Sequence, residues 1–125
     1  MSTSASPVRL ASGREMRLIE AEAKLRANDV AGAMTLVNTV RTNAGAATIT
    51  ATTSDEAWKL FKRERGIELW LESRRLGDLR RWKATSTPGA LDPLESVGSA
   101  SHLKQQDLCF PISTSEQQTN PALKS

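Results

Sequence analysis

Three glutamates at four-residue intervals are the first residues whose spacing could carry chemistry. On a helix, Glu64, Glu68 and Glu72 would form one acidic stripe. Such carboxylates can hold metal ions or act as general acids and bases, but di-metal helical bundles add Glu-x-x-His motifs to them. The sequence has one histidine, His102, which lies far from that spacing, and arginines flank the stripe. We therefore expect these charges to be paired within the protein, with no metal site.

A second set of residues, Cys109, His102 and Asp107, has the side-chain types of a nucleophilic site. All three fall in or beside one irregular stretch, where no helix N-terminus or glycine-rich turn would activate the thiol. The sequence also contains no phosphate-binding glycine loop, nucleophile elbow or zinc-ligand spacing. We expect a protein that is not an enzyme and that uses no cofactor.

A basic cluster, Arg74-Arg75 and Arg80-Arg81-Trp82-Lys83, could contact phosphates. Acidic residues alternate with these arginines, which favours pairing inside the protein. The net charge is +3, from 17 Lys and Arg against 14 Asp and Glu, and this is far from a dedicated basic surface. Nucleic acid is therefore not an expected partner, and a nucleic-acid-binding module is the weaker alternative.

The elements that would position these charges are helices. Ser12, Thr53 and Ser113 each precede a glutamate by three residues, which is the spacing of a capping box, and Asp29 is a suitable N-cap. Apolar residues at helical spacing follow Ser12, Asp29 and Thr53. Gly45 is placed where it would end the second helix.

This pattern predicts an all-α fold, with a tetratricopeptide-like helical hairpin plus a long central helix. The central helix is expected to run to about Arg75, and a further helical piece covers 73–83. Residues 84–106 contain proline, glycine and serine without a period, which predicts a long irregular loop. The apolar run 108–112 predicts a C-terminal extended segment that docks onto the helices.

Three blocks of the sequence resemble the SusD/RagB family of outer-membrane nutrient-binding lipoproteins. The central block, 64–82, reads Glu-Arg-x-x-Glu-Leu-x-x-Glu followed by Arg-x-x-Asp-Leu-x-Arg-Trp. An earlier block comprises 21–23 and 38–45, and a later one comprises 110–116 and 120–121. The blocks follow the order they have in that family, whose members are longer. The resemblance is therefore to the C-terminal portion of such a protein.

The resemblance implies a non-catalytic part of a cell-surface nutrient (oligosaccharide) binding protein that works with a TonB-dependent outer-membrane transporter. It implies a surface-exposed place on the cell outer membrane, although residues 1–7 show no signal peptide or lipobox. We expect a flexible lead-in at 1–11 and one helical domain at 12–125. No ligand-binding residue can be assigned from the resemblance, and a free-standing tetratricopeptide-like protein-interaction module remains the alternative.

The resemblance also implies that the charges of the central block are structural and tie the C-terminal helices to the helical scaffold. We expect Arg65 and Arg75 to be largely buried and hydrogen-bonded to carboxylates, including at least one of the nearby glutamates. The expected ion-pair network comprises Glu22, Arg41, Glu64, Arg65, Glu68, Glu72, Arg75, Asp78 and Arg81.

The first helix has apolar residues on more than one face. Leu18 and Leu25 are expected to turn away from a Met16–Ile19–Ala23 stripe that packs on the second helix. A helical repeat that lacks a neighbour exposes the face which that neighbour would cover. We therefore expect an exposed apolar patch and self-association of the isolated chain.

Overall fold

The computed structural model describes residues 11–90 and 112–123, and within these ranges the chain is helical, without a strand. The predicted all-α fold is therefore confirmed. The helices are α1 (Gly13–Arg26), α2 (Val30–Asn43), α3 (Ser54–Glu68), α4 (Arg75–Ala84) and α5 (Thr114–Thr119), with a 3-10 turn at Pro121–Leu123.

Several predictions fall on residues outside these ranges. They are the lead-in up to residue 10, the irregular loop from residue 91 onward, the apolar run 108–111, and the set formed by His102, Asp107 and Cys109.

Local side-chain chemistry starts the helices where the sequence predicts. The N-cap side chains of Ser12, Asp29, Thr53 and Ser113 each accept a hydrogen bond from the backbone N–H three residues further on, at 2.8–3.2 Å. Each cap of this kind stabilises a helix by about 1 kcal/mol. Gly45, with φ +75°, follows the end of α2 in the left-handed conformation that suits glycine.

The hydrophobic core forms where α1, α2 and α3 pack on one another. Leu18 of α1, Val37 of α2 and Phe61 of α3 are fully buried. The Phe61 ring meets Trp58 and Trp82 edge to face, with centroids 5.8 Å and 6.1 Å apart. Such pairs add about 0.5–1.5 kcal/mol beyond the area they bury. Because Trp82 belongs to α4, this aromatic cluster joins the fourth helix to the core.

The buried face of α1 differs from the predicted stripe. Leu18 and Leu25 lie in the core, whereas Met16 and Ile19 are 44% and 46% exposed. Glu22 shares the buried face, because arginines of α4 and α1 contact its carboxylate. A search for periodic apolar residues does not count a paired carboxylate such as Glu22 as a buried residue. The prediction therefore assigned the wrong face of α1 to the core.

The predicted long central helix ends at Glu68, short of the predicted end near Arg75, and the further helical piece predicted at 73–83 corresponds to α4. A turn at 69–73 separates α3 from α4, and within it Leu71 (φ 63°) and Ser73 (φ 57°) adopt the left-handed conformation, which ends a right-handed helix. The turn reverses the chain, so that Asp78 of α4 meets Arg65 of α3 at 2.6 Å. That contact lies outside the reach of local sequence patterns.

The connector between α2 and α3 is held against α2 by side chains. Asn38 donates from Nδ2 to the carbonyl oxygen of Ile49 and accepts at Oδ1 from the Ile49 N–H, both at 2.9 Å. Arg41 donates from Nε to the Ala47 carbonyl oxygen at 2.7 Å. These side chains thereby satisfy the N–H and carbonyl of Ile49 and the carbonyl of Ala47 without a strand partner.

The turn after α4 is fixed to α3 by a buried lysine. Lys62 donates from Nζ to the carbonyl oxygens of Pro88 and Gly89, each at 2.8 Å. The ammonium also lies 5.9 Å and 5.5 Å from the ring centres of Trp58 and Trp82. Burial lowers the pKa of Lys62 from its ordinary value. Carbonyl oxygens and aromatic faces replace the water that the ammonium loses.

Gly89 gives a test of how closely this turn approaches α3. Its φ is +78°, and an added Cβ would lie 2.6 Å from the backbone N of Lys59 and 2.8 Å from the carbonyl oxygen of Asp55. We expect Gly89→Ala to lower the free energy of unfolding by about 1–3 kcal/mol. Gly77→Ala is the control, since the added methyl meets no atom within 4 Å inside α4, and it should stabilise by roughly 0.5–1 kcal/mol.

Urea unfolding of the two variants and the unaltered chain measures both effects. A Gly89→Ala protein as stable as the unaltered chain would show that the turn does not rest on α3.

Candidate functional site

A chain of ion pairs joins three helices. Arg65 Nε of α3 donates to Asp78 Oδ2 of α4 at 2.6 Å, and both side chains are buried. The other oxygen of Asp78 accepts from Arg81 Nη2 at 2.9 Å. Arg81 Nη1 in turn contacts Glu22 Oε1 of α1. The sequence Arg65–Asp78–Arg81–Glu22 is called the charge chain below.

Glu22 receives two arginines at the α1 end of the charge chain. Its Oε1 also accepts from Arg26 Nη2 at 2.9 Å. Burial by itself raises the pKa of the Glu22 carboxyl, but the hydrogen bonds from Arg81 and Arg26 outweigh burial and hold the pKa below its ordinary value. The hydrogen bond to Glu22 likewise raises the pKa of Arg81. Both groups are therefore charged at neutral pH.

Other ion pairs surround α3. Arg41 Nη1 of α2 donates to Glu64 Oε2 at 2.5 Å, and Arg14 of α1 forms an ion pair with Glu68, with Nε 2.9 Å from Oε1. The residues of the acidic stripe on α3 thus face different helices and different arginines. Glu72 lies in the turn at 69–73, outside the helix. Among the residues that the structure describes, no three His, Cys, Asp or Glu side chains come together as a metal site.

Arg65 meets the expectation of burial and a carboxylate partner, whereas Arg75 is more exposed than expected. Arg65 is buried and bound to a carboxylate, but its partner is Asp78 rather than one of the glutamates. Arg75 is partly exposed, donates from Nη1 to the carbonyl oxygen of Lys62 at 3.1 Å, and lies 5.3 Å above the Trp82 ring. Its backbone and aromatic contacts were not predicted.

Sequence reasoning also missed several partners. Arg26 bonds Glu22 one helical turn away, a spacing that could have revealed the pair. Glu15, read as a capping residue, is buried and accepts from Arg74 Nε at 3.2 Å. Arg14 pairs with a residue on α3. The last two pairs join distant parts of the chain, and no local spacing indicates them.

The basic cluster is engaged in contacts within the protein. Arg74 and Arg81 bind carboxylates, and Arg75 binds a backbone carbonyl. A surface that attracts nucleic acid by releasing counterions needs Lys and Arg side chains free to meet phosphates. The pairing of these arginines disfavours the nucleic-acid hypothesis.

A shallow, open groove of about 390 Å³ runs beside the charge chain. A larger depression, of about 490 Å³, lies at the start of α1, where Arg14 and Arg17 are bound to Glu68 and Glu20. The groove is the stronger candidate site because a buried arginine lines it. Its lining residues are Ile19, Glu22, Ala23, Arg26, Arg65, Asp78 and Arg81.

The helical hairpin α1–α2, with α3 and α4 held to it by paired charges, defines a tetratricopeptide-like helical scaffold. The chain belongs to the SusD family, whose family model matches residues 8–125. This is a family of non-catalytic nutrient- and glycan-binding proteins associated with the outer membrane.

Neither the curated proteins nor the solved structures compared with the chain gave a match. Of the helices that the structure describes, none has the length and apolar character needed to cross a membrane. The division into a lead-in at 1–11 and a domain at 12–125 stays a prediction.

The buried pair gives a test of the charge chain. Replacing Arg65 by Met removes the donor to Asp78 Oδ2 and leaves this buried carboxylate with Arg81 on Oδ1 alone. Losing one partner of a buried pair costs about 3–5 kcal/mol. Arg17→Met removes an exposed partner of Glu20 on α1 and should change stability by at most about 1 kcal/mol. Chemical denaturation of both variants measures the difference. Equal effects would contradict a special role for the Arg65–Asp78 pair.

Glu22 predicts how stability depends on pH. Its pKa in the folded protein lies below the ordinary value of 4.5, so the unfolded chain binds a proton more readily. The stabilisation is therefore complete above about pH 4.5 and is lost as the pH falls through the lower folded-state pKa. Glu22→Gln should be less stable than the unaltered chain at pH 7, and the gap should narrow towards pH 3.

Thermal melts at both pH values test this, with Glu20→Gln as the exposed control on the same helix. A Glu22→Gln deficit that stays constant with pH would show that the carboxylate charge contributes nothing.

Proposed function

We propose that this chain is a non-catalytic part of a cell-surface protein that binds an oligosaccharide nutrient. The observation that carries the proposal is the SusD family match over residues 8–125. The pairing of Glu64 and Glu68 supports it, because carboxylates bound to arginines are poorly suited to acid–base chemistry. The groove beside the charge chain gives a small ligand a place to bind.

We propose further that the protein works at the outer membrane with a TonB-dependent barrel transporter, to which it delivers the nutrient. Support for this partner comes from the family alone. In this proposal the ion pairs are structural: they hold α4 against α1 and α3 and so keep the walls of the groove in place. The site would bind the nutrient without catalysing a reaction.

One observation favours a second candidate, a tetratricopeptide-like protein-interaction module. Trp70 and Leu71 are 75% and 85% exposed at the turn between α3 and α4, and Ile67 beside them is also exposed. Adjacent exposed apolar side chains of this size mark many protein–protein contacts. This surface is compatible with either function, since a binding protein that works with a transporter also makes a protein–protein contact.

Gene deletion separates the two candidates. Removing the coding sequence from the source organism should slow growth on the polysaccharide that the protein captures, because uptake of its oligosaccharides would lose the binding step. Growth on the corresponding monosaccharide is the control and should be unchanged. Deleting the partner transporter gene should give the same selective defect.

Normal growth of the deletion strain on every polysaccharide that the organism uses would contradict the nutrient-binding proposal. A selective defect restored by a Trp70→Ala, Leu71→Ala protein would show that the exposed turn is dispensable for this function, whereas failure to restore it would place the transporter contact there.

A further inference from the structure

The groove beside the charge chain contains more positive than negative charge. Three guanidinium groups, those of Arg26, Arg65 and Arg81, share two carboxylates, those of Glu22 and Asp78. Counting formal charges, the lining residues carry a net +1. Arg26 and Arg81 are each about 40% exposed at the rim, so their remaining N–H donors are accessible to a ligand.

Arg65 adds an unsatisfied donor at the base of the groove. The side chain is 6% exposed, and its Nε is used on Asp78, but its Nη1 is buried without a hydrogen-bond partner. A buried donor without an acceptor is costly, so native proteins usually provide one. Because Arg65 lines the groove, this guanidinium adds positive charge beneath it.

An apolar surface lies beside the guanidinium groups of the groove. Ile19 and Ala23 lie on the same face of α1 as Glu22 and Arg26, and both present exposed apolar surface along the groove. An occupant that fits must therefore combine one negative charge with an apolar face.

We propose that this groove binds the carboxylate of an acidic saccharide, a hexuronate unit. The planar fork of a guanidinium matches the two oxygens of a carboxylate, and one carboxylate neutralises the surplus charge. The C–H face of the sugar ring would lie on Ile19 and Ala23, and Arg26 and Arg81 would hold the carboxylate. The inference rests on the proposed function and deepens it by naming the chemical class of the nutrient.

The test is a titration of the full 125-residue chain with sodium D-glucuronate, followed by the backbone N–H and arginine Nε–H signals in NMR spectra at fixed ionic strength. D-glucose is the neutral control of the same ring type. We expect saturable shifts of residues 19–26 and 78–81 and of the Arg26 and Arg81 Nε–H signals with glucuronate. Glucose at the same concentration should leave these signals in place.

Two variants and one matched control locate the site. Arg26→Gln removes a rim guanidinium and should weaken glucuronate binding at least fivefold. Ala23→Glu adds a tethered carboxylate to the apolar wall and should weaken it similarly, at an exposed helical position where folding is little affected. Arg17→Gln also removes an arginine from α1, but one paired with Glu20 outside the groove, and should change affinity less than twofold.

Equal shifts with glucose and glucuronate would overturn the proposal, as would absence of saturation, or equal weakening by Arg17→Gln and Arg26→Gln. If a neutral oligosaccharide binds the chain while glucuronate leaves the groove signals unmoved, this inference fails and the proposed function stands. If glucuronate saturates the groove but gene deletion leaves growth on every polysaccharide normal, the groove assignment stands and the nutrient-binding function fails.

Discussion

The Arg65–Asp78 ion pair is the contact on which the position of α4 depends. α4 has ten residues, and no side chain caps its N-terminus. A helix of that length is not stable in water on its own, so tertiary contacts must hold it. Trp82 anchors it to Phe61 at one end, and Asp78 anchors its first turn to α3, where a negative charge also suits the helix dipole.

Burying these charges is a costly way to join helices, and its benefit is specificity. Taking an arginine and a carboxylate out of water costs several kcal/mol per ion, and the attraction between them roughly repays this cost. An apolar pair could hold α4 as firmly but would tolerate a shifted register. The charge chain does not, because a shift of α4 along α3 would leave Arg65 and Asp78 buried without their partners.

Sequence reasoning reached the features that depend on neighbouring residues and missed those that depend on distant ones. Ser12, Asp29 and Thr53 cap helices because capping needs a side chain and an N–H three residues apart. The break at 69–73 was missed because the residues around it favour a helix. The contacts that accompany the turn, those of Asp78 and Trp82 with α3, join residues that are distant in the sequence. The partner of Arg65 was missed for the same reason. The groove could not be predicted because its lining residues come from three helices, α1, α3 and α4.

The same side chains hold the fold and line the groove, and this overlap limits what mutation can reveal. Arg81 and Asp78 bridge α4 to its neighbours, so a loss of binding after their removal would report a displaced helix as readily as a lost ligand contact. Arg26 is less tightly bound into the fold, because its ion pair with Glu22 lies within α1 and its other contacts are a 3.5 Å hydrogen bond to Thr85 and the face of the Trp58 ring. Removing Arg26 should therefore disturb the arrangement of the helices less than removing Arg81 or Asp78. A ligand that neutralises the surplus charge would also raise the stability of the whole helical unit, since binding to the folded state alone shifts the folding equilibrium.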